Sequence, residues 1–393
     1  MRPRPLTQPT APCCSTEIVF NRGSLVVGDE IIQGSLVVRD GLIAAIDTGV
    51  SHLSGVVDLE GDLLLPGLVD LHTDNLERHL QPRRGVAWPT FDAFLAHDRQ
   101  MAVSGVTTVF DSLCVGDQFT GRSGRDDTLA CAIAAIEAAQ ADALSSCVHL
   151  LHLRCEVSSI DAVSVLARHI GHPLVRLVSL MDHTPGQRQW RQLDKWRQVN
   201  GEHFEAEVDL DAVVLHRQGL QQQHADAARR AAVTLTRAHH LPLASHDDTT
   251  VDHVAEAVWN GVSICEFPTT AIAARAAHRR SMAVVMGAPN VILGGSHSGN
   301  VSARALVREG LVDALASDYV PTSLLQACFL LHHQLGLTLT SAVALASRTP
   351  ARMAGLNDRG ELAVGKRADL LWVRDYPQSP VIRGGWCGGS RII

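Results

Sequence analysis

Short apolar runs alternate with alanine-rich stretches along most of this chain, and that rhythm restricts the fold more than any other feature. The runs lie at Gly105–Leu113, Val148–Glu156, Leu174–His183, Leu241–Asp247, Val262–Pro268, Ala283–Ala288 and Leu311–Asp318, and the one opening at Leu63 makes eight. Between them, Thr128–Leu144, Ser159–Ile170, Ala225–His239, Val251–Asn260 and Ser302–Glu309 carry helical periodicity. Strand-then-helix units repeated in this number point to an α/β fold, a parallel (β/α)8 TIM-type barrel rather than an open doubly wound sheet.

The two ends of the chain follow another pattern. From Glu17 to Leu59, Val, Ile and Leu alternate with polar residues and are broken at Arg22-Gly23, Gly34 and Asp40-Gly41, as short antiparallel strands would be. Strand-like alternation returns after Gly355, through Gly360–Val373. The expected organisation is a loose tail over 1–15, a small β-sandwich assembled from 16–62 and 356–393, and a barrel over 63–355. A charged, Gln-rich stretch, Gln187–Arg229, is too long for an ordinary connection and is expected to be a partly helical insertion over the barrel mouth.

Composition excludes several function classes. Acidic and basic residues are interspersed at a net charge of −7, which gives no basic footprint for nucleic acid or for an anionic membrane surface. No apolar run approaches the roughly 18 residues that span a bilayer, and the N-terminal stretch lacks the apolar core of a signal peptide, so a cytoplasmic protein is expected. Nine scattered cysteines without a C-x-x-C pair suggest neither a disulfide framework nor a cysteine zinc site.

Barrel chemistry is built where strands end, and metal-capable residues recur at those ends. His72 and Asp74 close the first strand, Glu156 the third and His183 the fourth, while His246 and Asp318 follow later runs. Imidazoles and carboxylates together suit Zn, Mn or Fe, and a carboxylate can bridge two ions. A divalent metal site, with two ions, is the natural expectation. His169, His203, His216, His224, His239 and His240 lie on helices or in the insertion and His332-His333 on an apolar helix, and these are expected to be surface or core residues.

The blocks HTDNLERHLQPRRGVAWP, HLRCE, LVSLMDHTPGQRQ, ASHDD, EFPTT, MGAPN, GGSHSGN and SDYVPTSLL, with GELAVGKRADLLWV near the end, resemble the amidohydrolase superfamily. Within it they are most similar to the PhnM family of bacterial phosphonate metabolism, the α-D-ribose 1-methylphosphonate 5-triphosphate diphosphatases. The resemblance implies cleavage of a small phosphorylated ribose substrate to the 5-phosphate and pyrophosphate. By their places at strand ends, His72, Asp74, Glu156, His183, His246 and Asp318 are the expected metal ligands, with Asp318 as general base. No lysine ends a central strand, so Glu156 takes the bridging position by its place in the sequence. The general superfamily motif has two histidines where this chain has His72-Thr73-Asp74.

A triphosphate needs localised positive charge, and arginines supply it through bidentate contacts. Arg78, Arg83, Arg84, Arg154 and Arg188 are the candidates, with Asn75 and Glu77 shaping the same pocket. Glu266 is a ligand or a substrate contact. The loop carrying Ser296, His297 and Ser298 is either a phosphate-binding nest or a turn before a helix. Two other readings stay open: hydrolysis of an amide, cyclic amidine or N-acyl phosphonate on the same barrel, and a non-catalytic subunit of a phosphonate-processing complex. Assembly as a homo-oligomer is compatible with each.

Overall fold

The computed structural model describes the chain from Glu17 onward, apart from 84, 117–124, 202–203, 205–207 and 297. The expected tail, Arg84 and His297 therefore lie outside the described residues.

Eight parallel strands form one sheet in strict chain order: Leu68–Thr73, Val106–Val115, Val148–Glu156, Val175–Met181, Leu243–His246, Ile264–Glu266, Ala283–Gly287 and Ala314–Ala316. Thr73 bridges to Asp318 across the gap between first and last strands and so closes the barrel. Apolar side chains fill it in two layers. Val69, Leu71, Phe110, Leu177, Ala244 and Val285 pack inside, while a larger set joins the outer strand faces to the helices.

The opening run is two strands rather than one. Leu63–Pro66 pairs with Glu17–Val27 and with Leu370–Arg374 in the chain-end sheet, and the barrel begins only at Leu68. Gly67 makes the hand-off. A Cβ there would fall 2.3 Å from Thr107 Oγ1, so only glycine lets the chain cross from one sheet to the other at this point. The chain-end unit is a single hydrogen-bonded sheet drawn from both termini, curled around Phe20, Leu25, Leu36, Leu64, Leu370 and Trp386.

The Gln-rich stretch differs from expectation at its far end. It opens with a 3-10 turn, Arg188–Trp190, and a helix, Leu193–Asn200, but Leu210–Ala238 is one continuous helix running past Arg229. Gln, Arg and Ala are good helix formers, and Gly219 within the helix does not stop it. Asp209 caps this helix, its carboxylate accepting from the Asp211 and Ala212 amides. Trp190, Trp196 and Val214 give the segment its own small core. Among the described residues, no helix is long and apolar enough to cross a membrane.

Candidate metal centre and hydrolytic site

The barrel seam is also the centre of the site. The Asp74 amide donates to the Asp318 carbonyl at 2.9 Å, and the Asp318 amide to the His72 carbonyl at 3.0 Å. Beneath them, buried Asp70 accepts from the Ser317 amide at 3.0 Å and locks first strand to last. Asp247, Phe267 and Asp318 all adopt left-handed φ, from 53° to 58°, which non-glycine residues avoid. Such conformations cluster where a site over-determines its backbone.

Side chains converge on the seam from neighbouring strand ends. His72 Nδ1 lies 2.9 Å from Glu266 Oε1, and His246 Nδ1 lies 2.8 Å from Glu266 Oε2. His72 Nε2 is 3.4 Å from Asp74, and His183 Nε2 is 3.2 Å from Asp247. Three overlapping sets of ligand atoms result, each within 4.8 Å of one another: His72, His246 and Glu266; His183, His246 and Asp247; His72, Asp74 and Asp318. A cavity of about 320 Å³ opens above them.

Of the residues expected in the site, His72, Asp74, Arg154, His183, His246, Ser296, Ser298 and Asp318 line this cavity. Arg154 is ion-paired with Asp74. Glu266 sits in the floor between two histidines. Glu156 does not line the cavity: its carboxylate accepts from the His183 amide at 3.1 Å and from Ser158 Oγ at 2.6 Å, and lies 3.7 Å from His183 Nδ1, so it supports the loop that carries His183. The carboxylate that lies between His72 and His246 is that of Glu266.

The remaining candidates lie off the cavity. Arg188 is buried, but its guanidinium donates to Asp248 at 2.7 Å and to the His246 carbonyl at 3.2 Å. Asn75 Nδ2 reaches Gln100 at 3.0 Å and His97 Nδ1 at 2.9 Å. Glu77 accepts from the Cys114 amide at 3.3 Å. Arg78 donates to the Tyr319 carbonyl at the rim at 2.6 Å, and Arg83 is exposed. Among the described lining residues, Arg154 is the sole arginine or lysine.

Sequence reasoning missed Asp247 and the barrel-facing His152. The first hid inside the block HDD, where only His246 was weighted. Strand parity could have found the second: on Val148–Glu156, residues 152, 154 and 156 share the inward face. His152 Nδ1 engages the Leu71 carbonyl at 3.0 Å, and burial first, with Glu266 opposing, pushes its pKa down to about 3.

The electrostatics favour a cation. Burial works against a charged His72, yet Glu266 and Asp74 override it and lift the ring to about 10. Burial would raise Glu266, but His72, His152 and His246 hold it well below the usual carboxylate range. Asp318 moves the other way, pushed up to about 7 by burial first and by Asp74 second. His72 Nδ1, though 2.9 Å from a carboxylate oxygen, has no properly aligned hydrogen bond. Imidazoles and carboxylates crowded in this way fit divalent ions.

The sequence profile of the amidohydrolase family matches residues 63–392. The alpha-D-ribose 1-methylphosphonate 5-triphosphate diphosphatase of Escherichia coli (strain K12) is 40% identical over 379 residues, 96% of this chain and 100% of that protein. Among solved structures, 5-methylcytosine deaminase from Klebsiella pneumoniae has a TM-score of 0.66 at 15% identity, covering 96% of this chain and 98% of its own. N-acetylglucosamine-6-phosphate deacetylase from Pasteurella multocida has a TM-score of 0.64 at 12% identity, over 96% and 99%. Those two likenesses speak to the fold alone. With a barrel closed at His72, Asp74 and Asp318 and a family match that starts at Leu63, the chain belongs to the amidohydrolase family.

Proposed function

We propose that this protein is a metal-dependent diphosphatase of phosphonate metabolism, cleaving α-D-ribose 1-methylphosphonate 5-triphosphate to the 5-phosphate and pyrophosphate. The observation that carries the reading is the end-to-end 40% identity to the diphosphatase of that name. His72, Asp74, His183, His246, Asp247, Glu266 and Asp318 are the residues that would hold two divalent ions, of the Zn, Mn or Fe class. Divalent ions supply Lewis-acid polarisation and charge neutralisation when bound.

The chain's own groups divide the remaining work. Asp318, which lines the cavity just past the last strand, takes a proton from water as the water oxygen attacks the α-phosphorus. The bond to the β-phosphate oxygen breaks and pyrophosphate leaves. Arg154 holds Asp74 in place through its ion pair and offers its charge to the cavity. Ser296 and Ser298, beside left-handed Gly294 and Gly299, line the cavity with hydroxyl donors for the departing phosphates.

The test is to load the purified protein with Zn, Mn or Fe and offer it the ribosyl triphosphate and N-acyl amino compounds in parallel. Pyrophosphate release from the first, with no amine from the second, is expected. Amine release without pyrophosphate would replace this reading with an amide hydrolase.

A further inference from the structure

The cavity has one side that its barrel strands do not build. Gln189, Trp190 and Asn200 come from the segment after the fourth strand and face the opening above the histidines. This part of the lining carries no charge, whereas the strand ends contribute Asp74, Asp247 and Asp318 and the glycine-rich segment contributes Ser296 and Ser298. A substrate with a polyanionic end and a sugar would divide between two such environments. The phosphates belong with the cation-favouring floor and the glycine-rich rim, which leaves the ribosyl group for the uncharged wall.

The wall's chemistry suits hydroxyls. A primary amide offers both donors and an acceptor, as neighbouring sugar hydroxyls require. Within the described residues no hydrogen bond engages the Gln189 side chain. Asn200 gives one N–H to the Trp196 carbonyl at 3.1 Å, which keeps its side-chain carbonyl for a hydroxyl donor. Trp190, almost wholly buried against Trp196, makes the wall stiff.

The wall is also tied to the metal-competent strand ends. Arg188, at φ 47°, reaches back to Asp248 and to the His246 carbonyl, and Gln187 Nε2 donates to Asp182 at 2.7 Å. Asp182 and Asp248 flank His183 and the His246-Asp247 pair in sequence. The buried arginine is thus an anchor that fixes Gln189 and Trp190 relative to the floor.

We infer that Gln189 and Asn200 read the ribosyl hydroxyls of the substrate, and that Arg188 is the positioning residue that holds this wall over the site. The inference rests on the proposed diphosphatase activity. The experiment is calorimetric titration of the full-length, metal-loaded protein with ribose 5-phosphate and, separately, with pyrophosphate. Gln189→Ala and Asn200→Ala should each weaken ribose 5-phosphate by roughly tenfold, the loss of one hydrogen bond, and pyrophosphate by less than about twofold. Arg188→Lys keeps the charge beside Asp248 but not the fork, and should raise KM for the ribosyl triphosphate more than it lowers kcat. Unchanged affinity for ribose 5-phosphate in folded Gln189→Ala and Asn200→Ala, or equal losses for both ligands, overturns the inference. If wild-type protein releases no pyrophosphate from the ribosyl triphosphate, the functional reading has failed instead.

Discussion

Two histidine and carboxylate clusters lie on opposite faces of the same barrel wall. The inner one, His72, Asp74, His183, His246, Asp247, Glu266 and Asp318, opens on the cavity. The outer one, between the wall and the helix Thr90–Val103, consists of His97, Asp98, Asp111 and His149, each fully buried. Strand parity separates them. On Val148–Glu156, His149 shares the outward face with Leu151 and Leu153, while His152 turns inward, and Asp111 on its own strand faces out.

The two differ in closure rather than in residue type. In the outer cluster His97 Nε2 meets Asp111 at 2.6 Å, His149 meets Asp111 at 2.8 Å and Asp98 at 3.1 Å, and Asp98 also accepts from the Ser146 and Cys147 amides at 2.9 Å. Each charge is answered by a neighbour, so the outer cluster works as a structural ladder. In the inner cluster, three carboxylates line the cavity against Arg154 and His72 Nδ1 has no aligned partner. A set of potential ligands that satisfies itself has no need of an ion; one that does not is open to chemistry.

The largest effect should come from the inner cluster. Asp318→Asn keeps the shape but cannot take a proton, and kcat should fall by on the order of a thousandfold, with the melting temperature held within a few degrees. A variant that hydrolyses the triphosphate at the wild-type rate removes the base assignment. Chelation should likewise abolish turnover, and refilling with a divalent ion should restore it; Glu266→Gln should lower the metal content measured after refilling, an assay independent of rate.

The outer cluster should answer in stability instead. Asp111→Ala leaves His97 and His149 buried without their shared carboxylate and should cost about 3–5 kcal/mol in denaturant unfolding. The folded fraction should keep its kcat. A large kcat loss in folded Asp111→Ala would erase the contrast between the two clusters.

A smaller change should follow pH. Burial opposes a charged His149, but Asp111 and Asp98 override it and raise the ring to about 9 from an ordinary 6.5. A raised folded-state pKa contributes stability that is complete below 6.5 and is lost as pH climbs through 9. Asp98 and Asp111 are depressed, so their contribution is complete above the ordinary carboxylate value and fades as pH falls below it. The stability gap between wild type and His149→Gln should therefore narrow by about 3 kcal/mol from pH 6 to pH 10. An unchanged gap means that His149 is neutral in the fold.

Much of the architecture was legible because barrel strands are near-continuous apolar runs with marked ends. The run Val148–Glu156 coincides with a strand, and His72, Asp74, His183, His246 and Asp318 lie within two residues of strand ends and line the cavity. Partnerships between side chains were not legible. Glu156 and Glu266 each end a strand, and only folding shows that one turns to the His183 amide while the other turns between two histidines. Arg188 has the charge expected of a phosphate contact, yet Asp248, which neutralises it, is 60 positions away. The outer cluster was not legible either, because His97 and Asp98 on the helix Thr90–Val103 pair with residues of strands that follow it.

The smallest expected effect is the one that separates local charge from useful charge. Arg83 was a candidate for holding phosphate because it follows the His72 motif closely, but it is exposed and does not line the cavity. An exposed cation in water is screened over about 10 Å at ordinary ionic strength, so its attraction for a phosphate held in the floor is weak. Arg83→Gln should change kcat/KM for the triphosphate by less than about twofold, whereas Arg154→Gln removes the lining cation and frees Asp74 from its partner. Measured at two salt concentrations, the pair sharpens the comparison further. If Arg83→Gln costs tenfold at low salt and nothing at high salt, the rim steers substrate over a distance, and the anion-holding groups extend beyond the cavity that the strands enclose.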